Sequence, residues 1–397
     1  MTQPSNNTSR PAVLITGIGV ISAAGSNVHE TLASFAGGER KPGRVRAFST
    51  PLEYPVFEVL APLAPSAAAT RTIGLALHAL DEALAAAGLD RDLSALRVGV
   101  CMGTTVASQL NDLDFYSAYR KTGTAPMDAV ERYLAGNPAE AVARAVGARG
   151  PCVTVVNACS SSADAIGVAL SWLRGGLCDL AIAGGADELS RIPLCGFGSL
   201  SVVSREPCAP YDRDRQGLNL GEGAGILILE TEAAARRRNA GSDLVVSGYG
   251  AACDAHHLTA PRPDGTGLEA AIRISLADAG IEPADVCFVN AHGTATRDND
   301  RVEGSVLARL FGGDIRVLST KGFTGHTLGA AGALEAAFTA LALRERWIPA
   351  SPGFATKDDE IPIGAVRERT AVAGRHAVST SLAFGGNNAS LVIGRNS

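Results

Sequence analysis

Cysteine and histidine supply nucleophiles and proton-transfer groups near neutral pH. Three of them stand where an apolar run gives way to a turn or a helix. Cys159 follows the run Val153–Asn157. It precedes a segment whose apolar positions Ala163, Ile166, Gly167, Leu170 and Leu173 fall at i, i+3, i+4 and i+7, the spacing of an amphipathic helix. A sharp strand-to-helix turn exposes a sulfur there, and the helix dipole predicts a lowered thiol pKa. His292 lies in Asn290-Ala-His292-Gly-Thr294-Ala-Thr296. At a strand end beside a glycine it can project into a cleft, with the hydroxyls of Thr294 and Thr296 available to a ligand amide. His326 lies in Ser319-Thr-Lys321-Gly-Phe-Thr-Gly325-His326-Thr-Leu-Gly329, again between an apolar run and a helical stretch. Phe384-Gly385-Gly386 either bares backbone N–H groups as half of an oxyanion hole or makes a plain turn. Taken singly, a buried cysteine, a satisfied histidine and a helix cap are the plainer readings; their shared placement favours chemistry.

These positions are set by a pattern written twice. Val13-Leu-Ile-Thr-Gly17-Ile-Gly19 matches Leu244-Val-Val-Ser-Gly248-Tyr-Gly250. Arg71–Ala87, ending at Gly88 before the strand Val98–Met102, matches Gly267–Ala279, ending at Gly280 before Val286–Asn290. Each glycine sits where a helix needs a left-handed closing residue. The strand and helix around Cys159 match Ile315–Ser319 and the helix after His326. Leu180–Ala183 with Gly184-Gly185 matches Ala377–Leu382 with Gly385-Gly386, both read as strands ending at the glycine pair. Alternating strands and helices predict mainly parallel pairing. Two halves, 1–240 and 241–397, divided near Asn239–Asp243, predict a layered α/β/α/β/α architecture. Arg40–Ala69 reads as surface connection, and residues 1–10 as a frayed tail.

Composition narrows the function. A chain of 397 residues with 46% hydrophobic and 19% charged residues can bury a large interior, which excludes a disordered protein. A net charge of −5 without a basic block speaks against nucleic-acid binding. The eight cysteines form no CxxC or zinc-type spacing, so no metal is expected and most thiols read as small buried groups in a reducing compartment. His256-His257 is no metal pair, because neighbours on extended chain point apart. Val13–Ile21 imitates a secretory segment but has a second copy inside the chain. Thr327–Leu343 is too short to span a membrane and holds Glu335, so it reads as a buried helix. A cytoplasmic protein is expected.

Four motifs together resemble one family. Asn157-Ala-Cys159-Ser-Ser, Ala291-His292-Gly-Thr-Ala-Thr, Lys321-x-x-Thr-Gly-His326-x-x-Gly-Ala-Ala-Gly and Phe384-Gly-Gly-x-Asn388 are similar to the signatures of elongating β-ketoacyl-acyl-carrier-protein synthases of the thiolase superfamily. The resemblance implies a thiolase-like five-layer fold. It implies that an acyl chain passes from a carrier's phosphopantetheine thiol to Cys159, and that His292 and His326 stabilise the enolate left when malonyl carrier protein loses CO2. Backbone N–H groups of Cys159 and Phe384 would form the oxyanion hole, with Phe384 as the gate. Lys321 would tune the histidines, paired with Glu303. Thr294 and Thr296 would hold the pantetheine amides, Thr259 would lie on a mobile active-site loop, Gly385 would contact the substrate beside Phe384, and Val106 and Ala107 would shape the acyl pocket. No cofactor is implied beyond the carrier's phosphopantetheine. The implied partners are that carrier and a second ketosynthase-like subunit, identical or a chain-length factor, with no nucleic acid and no membrane.

Departures from the family pattern tilt the pathway. Asp164 stands where fatty-acid enzymes usually carry His, Arg297 where proline is common, and Asn387 where threonine is usual. Tyr211 and Leu218 occupy positions that are often Phe. A dedicated polyketide or aryl-polyene pathway is favoured over housekeeping fatty-acid synthesis. Two rivals from other classes remain. A dinucleotide-binding oxidoreductase would use Gly17-x-Gly19-x-x-Ser22, although its third glycine is missing. A non-catalytic chain-length partner would lack the cysteine.

Overall fold

The computed structural model describes residues 12–63, 70–106 and 113–396. The chain opens with β1 (Val13–Ser22), α1 (Val28–Gly37), α2 (Arg71–Ala87) and β2 (Val98–Gly103). It continues through α3 (Leu113–Thr122), α4 (Asp128–Leu134), α5 (Pro138–Val146), β3 (Cys152–Val155), α6 (Ser161–Arg174) and β4 (Leu180–Asp187). Next come α7 (Arg191–Ser199), β5 (Gly223–Thr231), α8 (Glu232–Arg237), β6 (Leu244–Cys253), α9 (Thr266–Ala279) and β7 (Val286–Asn290). The remainder is α10 (Arg297–Phe311), β8 (Val317–Leu318), α11 (Lys321–Thr324), α12 (Ala331–Glu345), β9 (Trp347–Ile348), β10 (Thr370–Ala371), β11 (His376–Ala383) and β12 (Asn387–Arg395).

Ten strands form one sheet in the order β3-β2-β4-β5-β1-β6-β12-β11-β7-β8, with β9 and β10 paired separately. The first five positions come from chain before Glu232 and the last five from chain after Asp243. α2 packs on β1 and β5, and α9 packs on β6 and β12. α6 and α12 touch each other and strands from both halves of the sheet, so they form a central layer with sheet on either side. That is the five-layer order expected from the duplication. α12 is buried continuously from Ala331 to Leu343, and a fully buried Leu or Phe contributes about 1.5–3 kcal/mol.

Pairing departs from the sequence reading. Four neighbouring pairs are parallel and five antiparallel, so the sheet is mixed rather than mainly parallel. β5 returns beside β4 in the opposite sense after the long excursion through α7. β12 joins β11 through the tight turn Phe384-Gly385-Gly386. Gly184-Gly185 does not end its strand but lies inside β4. Arg40–Ala69 is only partly surface: Val56, Phe57 and Val59 are buried, and the Arg40 guanidinium donates to the carbonyls of Gly322 and Cys208. Residues 1–10, Ala69 and Ala107 lie outside the described residues. The thiols divide evenly. Cys101, Cys159, Cys178 and Cys208 are buried, whereas Cys152, Cys195 and Cys253 are exposed and Cys287 is intermediate.

The paired Gly-x-Gly motifs serve packing. A Cβ on Gly17 or Gly19 would stand 2.1 or 1.9 Å from the carbonyl oxygens of Ala83 and Ala79 in α2. In the second copy, a Cβ on Gly248 or Gly250 would stand 2.2 Å from the carbonyl oxygens of Ser275 and Ala271 in α9. The missing side chains let each helix lie directly on its strand. No space remains there for a pyrophosphate, which removes the dinucleotide-binding reading. No helix among the described residues is long and apolar enough to cross a membrane.

Candidate active site

β3 ends at Val155, and the chain turns sharply before α6. Ala158 takes a left-handed backbone, φ 48°, a strained choice for a residue with a side chain. Hydrogen bonds hold it there. The Asn157 N–H donates to Ser161 Oγ at 2.7 Å, and Ser161 Oγ donates back to the Ala158 carbonyl at 2.6 Å. Asp164, in the first turn of α6, accepts from Asn157 Nδ2 at 2.6 Å, Ser160 Oγ at 2.8 Å and Tyr249 Oη at 2.8 Å. The turn therefore presents Cys159 just ahead of Ser160, the N-cap of α6.

The expectation of a lowered thiol pKa is not met. Burial pushes the Cys159 thiol up to about 11, although the Lys321 charge and the Phe384 N–H pull it down. Desolvation wins because Cys159 is 4% exposed, and a thiolate there would lose nearly all its water.

His326 Nε2 lies 3.0 Å from Cys159 Sγ. The Leu328 N–H donates to His326 Nδ1 at 3.3 Å, so in the neutral ring Nε2 carries the proton. Lys321 Nζ donates to His292 Nδ1 at 3.1 Å, which fixes the same tautomer on that ring. Burial, followed by the Lys321 charge, holds both imidazoles well below their ordinary pKa, and hence neutral. The rings stand 5.2 Å apart, edge to face at 86°. The sulfur and one nitrogen from each ring lie within 4.8 Å of one another. Two N–H donors and a sulfur thus converge on one point.

Behind them the ion pair differs from the expected one. Lys321 pairs with Glu335 of α12 rather than with Glu303. Glu303 faces the backbone instead, accepting from the His292 N–H at 2.8 Å, the Gly293 N–H at 2.8 Å and Thr380 Oγ1 at 2.7 Å. It fixes the turn that aims His292. Glu335 had no signal beyond being a charge inside an apolar helix.

A cavity of about 410 Å³ opens onto this cluster and is lined by Cys159, His292, His326, Thr294, Thr296 and Thr259, with Phe384 at its side. Thr294 Oγ1 and Thr296 Oγ1 stand 2.9 Å apart. The Phe384 ring lies 5.2 Å from Phe197, whose ring lies 6.5 Å from His326; Phe197 carried no sequence signal. The Gly385 N–H donates to the Leu258 carbonyl at 2.8 Å, tying the Phe384 turn to the loop that carries Thr259. Gly385 and Val106 are not among the lining residues. Val106 is buried in an apolar cluster with Leu189, Leu194 and Leu328 that reaches the cavity wall through Leu218.

The N-terminal and C-terminal β-ketoacyl synthase family models match residues 62–235 and 244–355. The chain is 37% identical to 3-oxoacyl-[acyl-carrier-protein] synthase 2 of Rhizobium meliloti, over 81% of this chain and 80% of that one. A second relative of the same name, from Staphylococcus aureus, is 38% identical over 62% of this chain and 64% of its own length. Among solved structures, the ishigamide ketosynthase/chain length factor superposes with a TM-score of 0.92 at 30% identity, covering 98% of this chain and 100% of that one. A ketosynthase in complex with its chain length factor, from Xenorhabdus doucetiae, gives 0.82 at 32% identity, covering 100% of both chains. The chain belongs to the β-ketoacyl synthase family, and its fold is the thiolase-like one of the ketosynthases.

Proposed function

We propose that this chain is an elongating ketosynthase that joins a two-carbon unit from malonyl carrier protein to an acyl chain held on Cys159. One observation carries the reading: a buried sulfur 3.0 Å from His326 Nε2, beside a second imidazole oriented by Lys321 so that it too offers an N–H. In the first step the Cys159 sulfur attacks the acyl thioester of the carrier's phosphopantetheine. The backbone N–H groups of Cys159 and Phe384 receive the tetrahedral oxyanion. The C–S bond to pantetheine breaks, and the Cys159 proton ends on the departing pantetheine sulfur.

Malonyl carrier protein then enters with its amides against Thr294 and Thr296. Its carboxylate leaves as CO2, and the electron pair of the broken C–C bond becomes the enolate. The thioester oxygen of that enolate sits between His292 and His326, each N–H donor contributing about 2.7–4 kcal/mol to such a charge. The enolate carbon attacks the acyl thioester, a C–C bond forms, the C–S bond to Cys159 breaks, and the sulfur leaves as thiolate that takes up one proton from solvent. Atoms and electrons balance among thioester, malonyl unit and CO2, so the reaction calls for no cofactor beyond the carrier's own arm. Residues 1–240 would supply the nucleophile and residues 241–397 both imidazoles, Lys321 and the Phe384 turn. Val106, in its apolar cluster with Leu189 and Leu194, would bound the acyl chain.

A second ketosynthase-like subunit, identical or a chain-length factor, is the proposed partner. β3 is an edge strand, and Tyr116, Leu134, Val153 and Val156 form exposed apolar surface on α3, α4 and the end of β3. An open strand edge beside exposed apolar side chains is covered in most stable proteins. Both solved structures named above are of a ketosynthase with a chain length factor. That supports a dedicated polyketide-type pathway, whereas the names of the sequence relatives keep fatty-acid elongation as the alternative. The test is intact mass after incubation with acyl carrier proteins. Wild type should gain one acyl group on Cys159 and Cys159→Ala none, and acylation of the alanine variant would sink the reading.

A further inference from the structure

Asp187 closes β4 and is completely buried, yet none of the roles above uses it. Its carboxylate accepts from four donors on two separate segments. Oδ1 takes Thr104 Oγ1 at 2.5 Å and the Val106 N–H at 3.3 Å. Oδ2 takes the Thr105 N–H at 2.8 Å and the Gly329 N–H at 2.7 Å. Burial pushes the carboxyl up to about 6, and these donors keep it from rising further.

The two segments are those that hold the reacting pair. Thr105 Oγ1 donates to the carbonyl of Ala158 at 3.1 Å, the strained residue that presents Cys159. Gly329 follows Leu328, whose own backbone is left-handed at φ 52° and whose N–H orients the His326 ring. The contact is tight: a Cβ on Gly329 would stand 2.5 Å from the backbone of Thr104 and Thr105 and 2.8 Å from Asp187 Oδ2. One carboxylate therefore ties the loop behind the sulfur to the turn behind the imidazole.

We infer that Asp187 is a positioning residue whose four hydrogen bonds set the Cys159–His326 separation. The inference deepens the ketosynthase reading and rests on it for its consequence in catalysis. Its geometry can be tested without any carrier substrate, through alkylation of Cys159 by iodoacetamide. An N–H from His326 favours the thiolate, and the thiolate is the form that reacts.

Asn at 187 keeps three of the four ties, because its amide oxygen can accept from the Thr105 and Gly329 N–H groups while its NH2 donates to Thr104 Oγ1; only the long bond from the Val106 N–H is lost. Ala keeps none. At pH 7.5, with the modified peptides mapped by mass, Asp187→Ala should slow alkylation of Cys159 about tenfold, the loss expected for one strong hydrogen bond to the sulfur. Asp187→Asn should stay within about threefold, and exposed Cys253 should be unchanged in both. Turnover with malonyl carrier protein should fall with Asp187→Ala while KM holds. Unchanged alkylation in the alanine variant, or equal slowing in the alanine and asparagine variants, overturns the inference. If Asp187→Ala does not fold, Thr105→Val cuts only the tie to Ala158; slower labelling of Cys159 supports the inference, and an unchanged rate overturns it. A wild-type chain that takes no acyl group from any carrier, yet shows this labelling pattern, sinks the ketosynthase reading and leaves the Asp187 role standing.

Discussion

The Tyr249 hydroxyl, on β6, donates to the Asp164 carboxylate at the start of α6 at 2.8 Å. The ring lies flat against the helix: a Cβ on Gly167 would stand 2.5 Å from it. A residue from the second copy of the pattern thus braces the turn that presents the nucleophile in the first. Asp164, where fatty-acid enzymes usually carry His, has its place in this network.

Tyr249→Phe removes one donor from a buried carboxylate and keeps the ring. It should destabilise the fold by about 1–3 kcal/mol, read as a lowered thermal midpoint, and slow acyl transfer to Cys159. Gly167→Ala, which forces the ring away, should do more damage to both. A Tyr249→Phe variant matching wild type in both measurements would remove the brace from the account.

Cys159 should titrate high. With its thiol pushed up to about 11 by burial, its iodoacetamide rate should still be climbing at pH 10, because each pH unit below the midpoint cuts the thiolate fraction tenfold. For stability the sign is the following. The folded thiol keeps its proton between about pH 9 and 11 while the unfolded one loses it, so stability falls across that window as pH rises. A labelling plateau by pH 8 would show that the helix dipole outweighs burial.

The two histidines should separate by step. His292→Ala and His326→Ala should each cut malonyl decarboxylation by about 10²–10³, the loss typical of one oxyanion donor. His292→Ala should spare self-acylation, since its ring is braced by Lys321 rather than by the sulfur. His326→Ala should harm decarboxylation more than acyl transfer. Single-turnover assays of each step decide it, and equal losses in both steps for both variants would argue against the assigned roles.

Lys321 and Glu335 form a buried pair. Lys321→Met leaves Glu335 unpaired and should cost about 3–5 kcal/mol. The double variant Lys321→Met with Glu335→Leu should regain much of that stability. It should not regain decarboxylation, because His292 Nδ1 has then lost its donor. Thermal midpoints and decarboxylation rates of the three proteins test this, and recovery of both would make the pair purely structural.

The sequence showed the reacting groups better than their supports. Cys159 and His326 could be found because each follows an apolar run at a helix start, at matching places in a repeated plan, and His292 because glycine and threonines follow it at a strand end. The strand directions were only partly legible: β5 lies beside β4 through long-range closure, whereas Gly385-Gly386, read as a strand end, is the hairpin that turns β12 back along β11. Lys321 could be expected to need an acid, but Glu303 was the wrong one. Glu335 is nearer only after α12 folds over the turn, and its neighbours are all apolar. Asp187 gave no signal, since a carboxylate that serves backbone N–H groups leaves no pattern in residue types. The pKa of Cys159 was misjudged because helix position can be read from spacing, whereas dehydration depends on the packed surroundings.

One feature of α12 bears on biogenesis. It is covered from Ala331 to Leu343 by β4, β5 and α6 on one side and β11 and β12 on the other, and it arrives late in synthesis. Until it emerges, the faces of β4, β5 and α6 that it covers stay open, and the lysine's carboxylate partner does not yet exist. A nascent chain halted before that helix would offer a sticky interior to chaperones and no half-working catalyst.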